Sequence, residues 1–132
     1  MGIPPRCIRL TRCFYNSQEL PDDLLEKDLL QAAEVIDILV ERPLLDFQRE
    51  ALMCLVADII GMRASSPTSK FPTSILLKAL NTGWFQIATA EFATFCFNGE
   101  KVEVRAWRKR ACEQTLFSTG KLQLIALDKS KI

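Results

Sequence analysis

A chain of 132 residues has the length of one domain, and its composition, 48% hydrophobic and 25% charged with five Gly and six Pro, excludes fibrous and disordered classes. Histidine is absent, so no Ser-His, Cys-His or His-metal site can be built from this chain. The formal net charge is only +1.

Residues 1–18 hold Arg6, Arg9 and Arg12 and no acid. They lack the apolar stretch of a secretory signal, and their arginines resemble an organelle transit peptide only faintly. The alternation of Ile8 and Leu10 with Arg9 and Thr11 predicts instead a strand over residues 7–15. Gly2 invites myristoylation, but Arg6 stands where that motif wants Ser or Thr.

Residues 19–62 are acidic, with a net charge of −8. Pro21-Asp22-Asp23 opens a helix predicted over 22–41, where early acids complement the helix dipole. Leu25, Leu29, Ala32, Ile36 and Leu39 recur on one stripe. Leu30 and Ile38 lie off that stripe on either side of Glu34, so these three residues are predicted as a helical interface. Pro43 starts a second helix over 44–61, with Leu45, Leu52, Leu55, Val56 and Ile59 as its core face. So short a break predicts an antiparallel helical hairpin. Asp58 falls at the edge of the core face, where a half-buried carboxylate is either a base or the structural partner of Arg63 or Lys78, and the structural role is the expected one. The longest apolar run, 51–57, is far short of the roughly 20 residues of a membrane span.

Residues 63–132 carry a net +6. A Ser-, Thr- and Pro-rich loop over 63–72 contains Ser66-Pro67, a possible phosphate acceptor. A short third helix over 73–80 ends at Asn81-Thr82-Gly83. From Trp84 the reading changes to strands at 84–90, 91–97, 101–107 and 122–127. Asn98-Gly99 is read as a two-residue turn that sets Phe95 opposite Val102 and Ala93 opposite Val104. The fold class predicted is α+β, in a single domain over 1–132: an N-terminal strand, an antiparallel helical hairpin plus a short third helix, then a C-terminal antiparallel sheet.

The five cysteines, Cys7, Cys13, Cys54, Cys96 and Cys112, have neither an even count nor metal-knuckle spacing. Without an Asn-x-Ser/Thr site they indicate reduced thiols and a cytoplasmic or nuclear location. Cys112 follows Arg108-Lys109-Arg110, which would favour a thiolate, although a small buried hydrophobe is the expected role. Glycine-rich phosphate loops and nucleophile elbows are missing, and no metal or cofactor is predicted. Lys101, Arg105, Trp107, Arg108, Lys109, Arg110 and Lys121 form a basic cluster around an aromatic, predicted to meet a partner from a sheet edge. The sequence therefore predicts a non-catalytic intracellular interaction protein, an assembly or regulatory factor that docks a protein partner or self-associates. The alternative is a nucleic-acid-binding protein with a winged-helix-like order of elements. A thiol- or carboxylate-dependent enzyme is the third reading.

Overall fold

The structure is a computed structural model and describes residues 3–123. It is α+β and mostly helical. The helices are α1 (Pro5–Arg12), α2 (Asp22–Leu39), α3 (Asp46–Ile60), α4 (Ile75–Thr82), α5 (Phe85–Glu91) and α6 (Val104–Thr119), and β1 (Phe97–Asn98) and β2 (Lys101–Val102) form a small antiparallel hairpin.

The centre of the molecule is α3. Residues 51–58 are buried on every side, as expected of a helix whose neighbours enclose it. Leu25, Leu29, Ala32 and Ile36 of α2 cover one flank, and α6 and α1 cover others. Arg49 reaches Asp37 at 3.0 Å and Arg63 reaches Asp28 at 2.9 Å, so the two chain directions are opposed and the predicted helical hairpin is present. The third helix is present as well: Ser74 accepts a hydrogen bond from the Leu77 amide at its start, and Gly83 closes it at φ +85°.

Three predicted strands are helices instead. At the N-terminus, α1 replaces the strand over 7–15. Cys7, Leu10, Thr11 and Phe14 are buried at three- and four-residue spacing, while Ile8, which a strand would place beside Leu10, is exposed. Residues 84–90 fall largely on α5, which buries Ala88 fully and Phe85 in part. The region 101–107 is strand only at Lys101–Val102 before α6 begins.

The hairpin itself is shorter than expected and shifted by one residue. Phe97 pairs with Val102 and Asn98 with Lys101, so the loop is Gly99-Glu100 and neither Phe95–Val102 nor Ala93–Val104 is a pair. Gly99 alone takes a positive φ, +67°, whereas a type I′ turn needs it at both central positions. A strand continuing back through 91–97 is excluded because α5 and a single 3₁₀ turn at Phe92–Thr94 occupy that stretch. Most of the strand expected at 122–127 lies outside the described residues. Among those residues, no helix is long and apolar enough to cross a membrane.

Candidate functional site

The basic cluster does not stand on a sheet edge. All but Lys101 and Lys121 ride on α6, and the helix sends them in different directions. Lys109 and Arg110 turn inward and are fully buried, Arg105 faces a cleft, and Trp107 and Arg108 lie on the outer side, Trp107 exposed and Arg108 half-buried. Lys101 is exposed on β2, and Lys121 is exposed just beyond α6. Leu30, Glu34 and Ile38 do share the solvent face of α2, with Ile38 77% exposed.

Lys109 and Arg110 enter a buried network of three cations and three carboxylates. The Lys109 ammonium lies 2.9 Å from Asp58 and 2.8 Å from Glu113. Arg110 pairs with the same Asp58 oxygen, donates to Glu113 at 2.9 Å and donates to the Phe95 carbonyl at 3.1 Å. The other Asp58 oxygen accepts from Arg63 Nε at 3.0 Å, and Arg63 Nη1 donates to Asp28 at 2.9 Å. Such a neutral, hydrogen-bonded arrangement is what permits six charges to leave water together. Burial alone would raise the Asp58 pKa, but the charges of Lys109, Arg110 and Arg63 hold it well below the usual carboxylate range. The same network pushes Lys109 upward against its own desolvation. Gly61 leaves the room for this: a Cβ there would come within 2.0 Å of Arg63 Nη1 and 2.6 Å of Asp28 Oδ2. Asp58 is thus the structural partner of Arg63, as its position in the sequence suggests, with Lys109 and Arg110 in addition.

Beside this network opens a cleft of about 770 Å³, lined by Tyr15, by residues 62–66 and 69–70, by the hairpin's first strand with Gly99, and by Glu103 and Arg105. Two of its walls are tied together by the Phe97 amide, which donates to the Ser65 carbonyl at 3.3 Å. Tyr15 lies between two guanidinium groups, with Arg105 at 4.3 Å and Arg63 at 5.7 Å from its ring centre. Burial, followed by the Asp58 charge, raises the Tyr15 pKa, so its hydroxyl stays protonated. Arg105 Nη1 donates to Glu19 at 2.6 Å and to the Phe14 carbonyl at 3.3 Å. The hydrogen bond from Arg105, aided by the Asn16 amide, holds the Glu19 carboxyl below its ordinary pKa. Glu103 caps α6 by accepting from the Arg105 amide at 3.0 Å, and its carboxylate lies 4.0 Å from Arg105 Nε. Arg105, in the cleft lining, is therefore joined to Glu103, also in the lining, and to Glu19, which is outside the lining residues.

The sequence reading missed Tyr15, Glu19, Glu103 and Glu113. Glu113 has a signal: it stands four residues after Lys109 and three after Arg110, the spacing of helical ion pairs. Tyr15 reaches the cleft and Glu19 reaches Arg105 only through the fold, with no local spacing to reveal them. Cys112 is buried, and burial, with Glu113 and Cys13 nearby, pushes its thiol up to about 11, the opposite of an activated thiolate. Among the described residues, no group of three or more Cys, Asp or Glu could hold a metal ion.

No family model and no solved structure matches the chain. Two curated phage proteins do. The endolysin of Bacillus phage B103 is 30% identical over 119 residues, covering 90% of this chain and 43% of the phage protein. The endolysin of Acyrthosiphon pisum secondary endosymbiont phage 1 is 32% identical over 108 residues, covering 79% of this chain and 69% of its own length. The chain belongs to the endolysin family. It spans less than half the length of the Bacillus phage relative. Endolysins are lytic enzymes, and this membership overturns the expectation of a non-catalytic assembly or regulatory factor, with its protein-binding description and its winged-helix alternative.

Proposed function

We propose that this chain hydrolyses the glycan strands of the bacterial cell wall, and that the strand lies in the cleft between Tyr15, Glu103 and Arg105. Kinship with endolysins supports a cell-wall substrate. The choice among cell-wall bonds follows from the residues available. A chain without histidine has no Ser-His or Cys-His nucleophile and no histidine zinc site with which to attack a peptide or amide bond. Glycosidic bonds, by contrast, are cleaved by two carboxyl groups, one giving a proton to the leaving oxygen while the other, ionised, acts as nucleophile, activates water or stabilises the oxocarbenium charge.

The observation that carries this reading is the pair Glu19 and Glu103 set about Arg105. Glu19, kept ionised by Arg105, takes the anionic role. Glu103, in the cleft lining, is the second carboxyl group of the pair. Tyr15 and Arg105 hold the mouth of the cleft in shape, and the Arg105 guanidinium offers donors to sugar hydroxyls. The test is to digest purified peptidoglycan and assay the bond broken. New reducing ends are expected without new amino termini; new amino termini alone would refute glycan cleavage.

A further inference from the structure

The solvent face of α2 carries a pattern that neither the cleft nor the buried network uses. Leu24, Lys27, Leu30, Gln31, Glu34 and Ile38 fall within an arc of about 120° around this helix. All six are exposed, the three apolar ones by 42%, 46% and 77%. One exposed apolar residue is ordinary, but three on a single helical stripe form a face that gains by being covered. Asp22, Asp28 and Asp37 of the same helix are paired with Arg12, Arg63 and Arg49. Lys27 and Glu34, by contrast, have no ion-pair partner among the described residues. They stand two turns apart on one side of the helix, too far to pair with each other.

The order of these charges points to what covers the face. Lys27 lies before Leu30 and Glu34 after it, so a helix of the same sequence laid in the opposite direction presents the reverse order. A two-fold axis crossing α2 between Leu30 and Gln31 sets Lys27 against Glu34 of a second copy, and Glu34 against its Lys27. Leu30 and Gln31 then meet their own counterparts at the axis, and Ile38 comes beside Leu24 at either end. Such a self-complementary contact closes after two subunits. We propose that two copies of the chain pair antiparallel through α2, with Lys27 and Glu34 as reciprocal ion pairs on either side of Leu30. The pairing goes beyond glycan cleavage and leaves the cleft open, because none of the residues lining the cleft belongs to α2. One helix from each subunit makes an interface at the small end of the specific range, so the dimer is expected to dissociate on dilution.

Sedimentation equilibrium over a wide range of concentration compares the parent with Lys27→Glu, with Glu34→Lys and with an equimolar mixture of the two variants. The parent is expected to shift from the mass of one chain to that of two. Each single variant sets like charges opposite one another twice, and is expected to dimerise roughly tenfold more weakly or worse. In the mixture the acids of one variant meet the bases of the other at both contacts, so a mixed dimer as tight as the parent's is expected. Both positions are exposed, and melting temperatures near the parent's verify that each variant is folded. A parent that stays monomeric, or a dimer that both charge reversals leave unchanged, overturns the pairing. A mixture no tighter than the single variants also overturns it, and leaves the face to a partner other than a second copy.

Discussion

The Arg105 guanidinium lies 4.3 Å from the centre of the Tyr15 ring, and through that contact α6 is joined to the segment that follows α1. Arg63 approaches the same ring at 5.7 Å from within the buried network. Tyr15 therefore links the charged interior to the carboxylates at the cleft mouth, because what orients Arg105 also orients Glu19 and Glu103.

Replacement of Tyr15 by Phe keeps the ring and is expected to leave both stability and cleavage near the parent values. Tyr15→Ala removes a buried aromatic and should cost roughly 3–5 kcal/mol in denaturant melts. Equal behaviour of the two variants would show that the ring does not hold Arg105.

Lys109→Met leaves Asp58 and Glu113 with one cation fewer in a dry interior. A loss of about 3–5 kcal/mol is expected for breaking such a network from one side. Adding Glu113→Gln to Lys109→Met restores the balance of charge and should recover part of that loss. A double-mutant cycle checks this, and strictly additive effects would show that the two residues do not interact.

The pH dependence follows from the direction of the shifts. The depressed pKa of Asp58 contributes stability that is complete above the unfolded value, about 3.9, and declines as pH falls through the lower folded value. Lys109 is raised, so its contribution is complete below an unfolded value of about 10.4 and is lost as pH climbs through the folded one. Glu50, raised chiefly by burial, acts in the opposite sense to Asp58 on the acid side. Melts from pH 2 to 11 should give a plateau that falls at both ends. Stability that rises on acidification below pH 4 would contradict an ionised Asp58.

Leu29 is fully buried on the α2 face that meets α3. Leu29→Ala is expected to cost roughly 2–5 kcal/mol. A loss below about 1 kcal/mol would remove Leu29 from the core.

How far the sequence revealed this fold depends on what fills the buried stripes. In α2 the stripe is Leu25, Leu29, Ala32 and Ile36, all apolar, and its period is plain. In α6 the buried positions are Ala106, Lys109, Arg110, Cys112, Glu113, Leu116 and Phe117, which keep helical spacing but place three charges where an apolar period is sought. Those residues read as a solvated basic run, so only the first residues of α6, 104–107, carry a strand expectation, and Lys109 and Arg110 are expected at the surface. The Asn98-Gly99 signal located the hairpin correctly to within one residue. It could not indicate that the pairing stops after two residues, because that follows from α5 and α6 claiming the flanks. Arg105 is marked in the sequence only by its charge, and it does line the cleft. Its partners Tyr15 and Glu19 lie about 90 residues earlier in the chain, beyond any local pattern.

The central claim is that carboxyl groups at the cleft mouth cleave a glycan. The most direct measurement is the rate of reducing-end release from purified peptidoglycan by the parent and by Glu103→Gln, with melts to establish that both are folded. The account predicts release by the parent and a loss of at least about a hundredfold in the variant, the lower end of what a positioned acid or base contributes. Undiminished release by folded Glu103→Gln, or none from the parent, would contradict it.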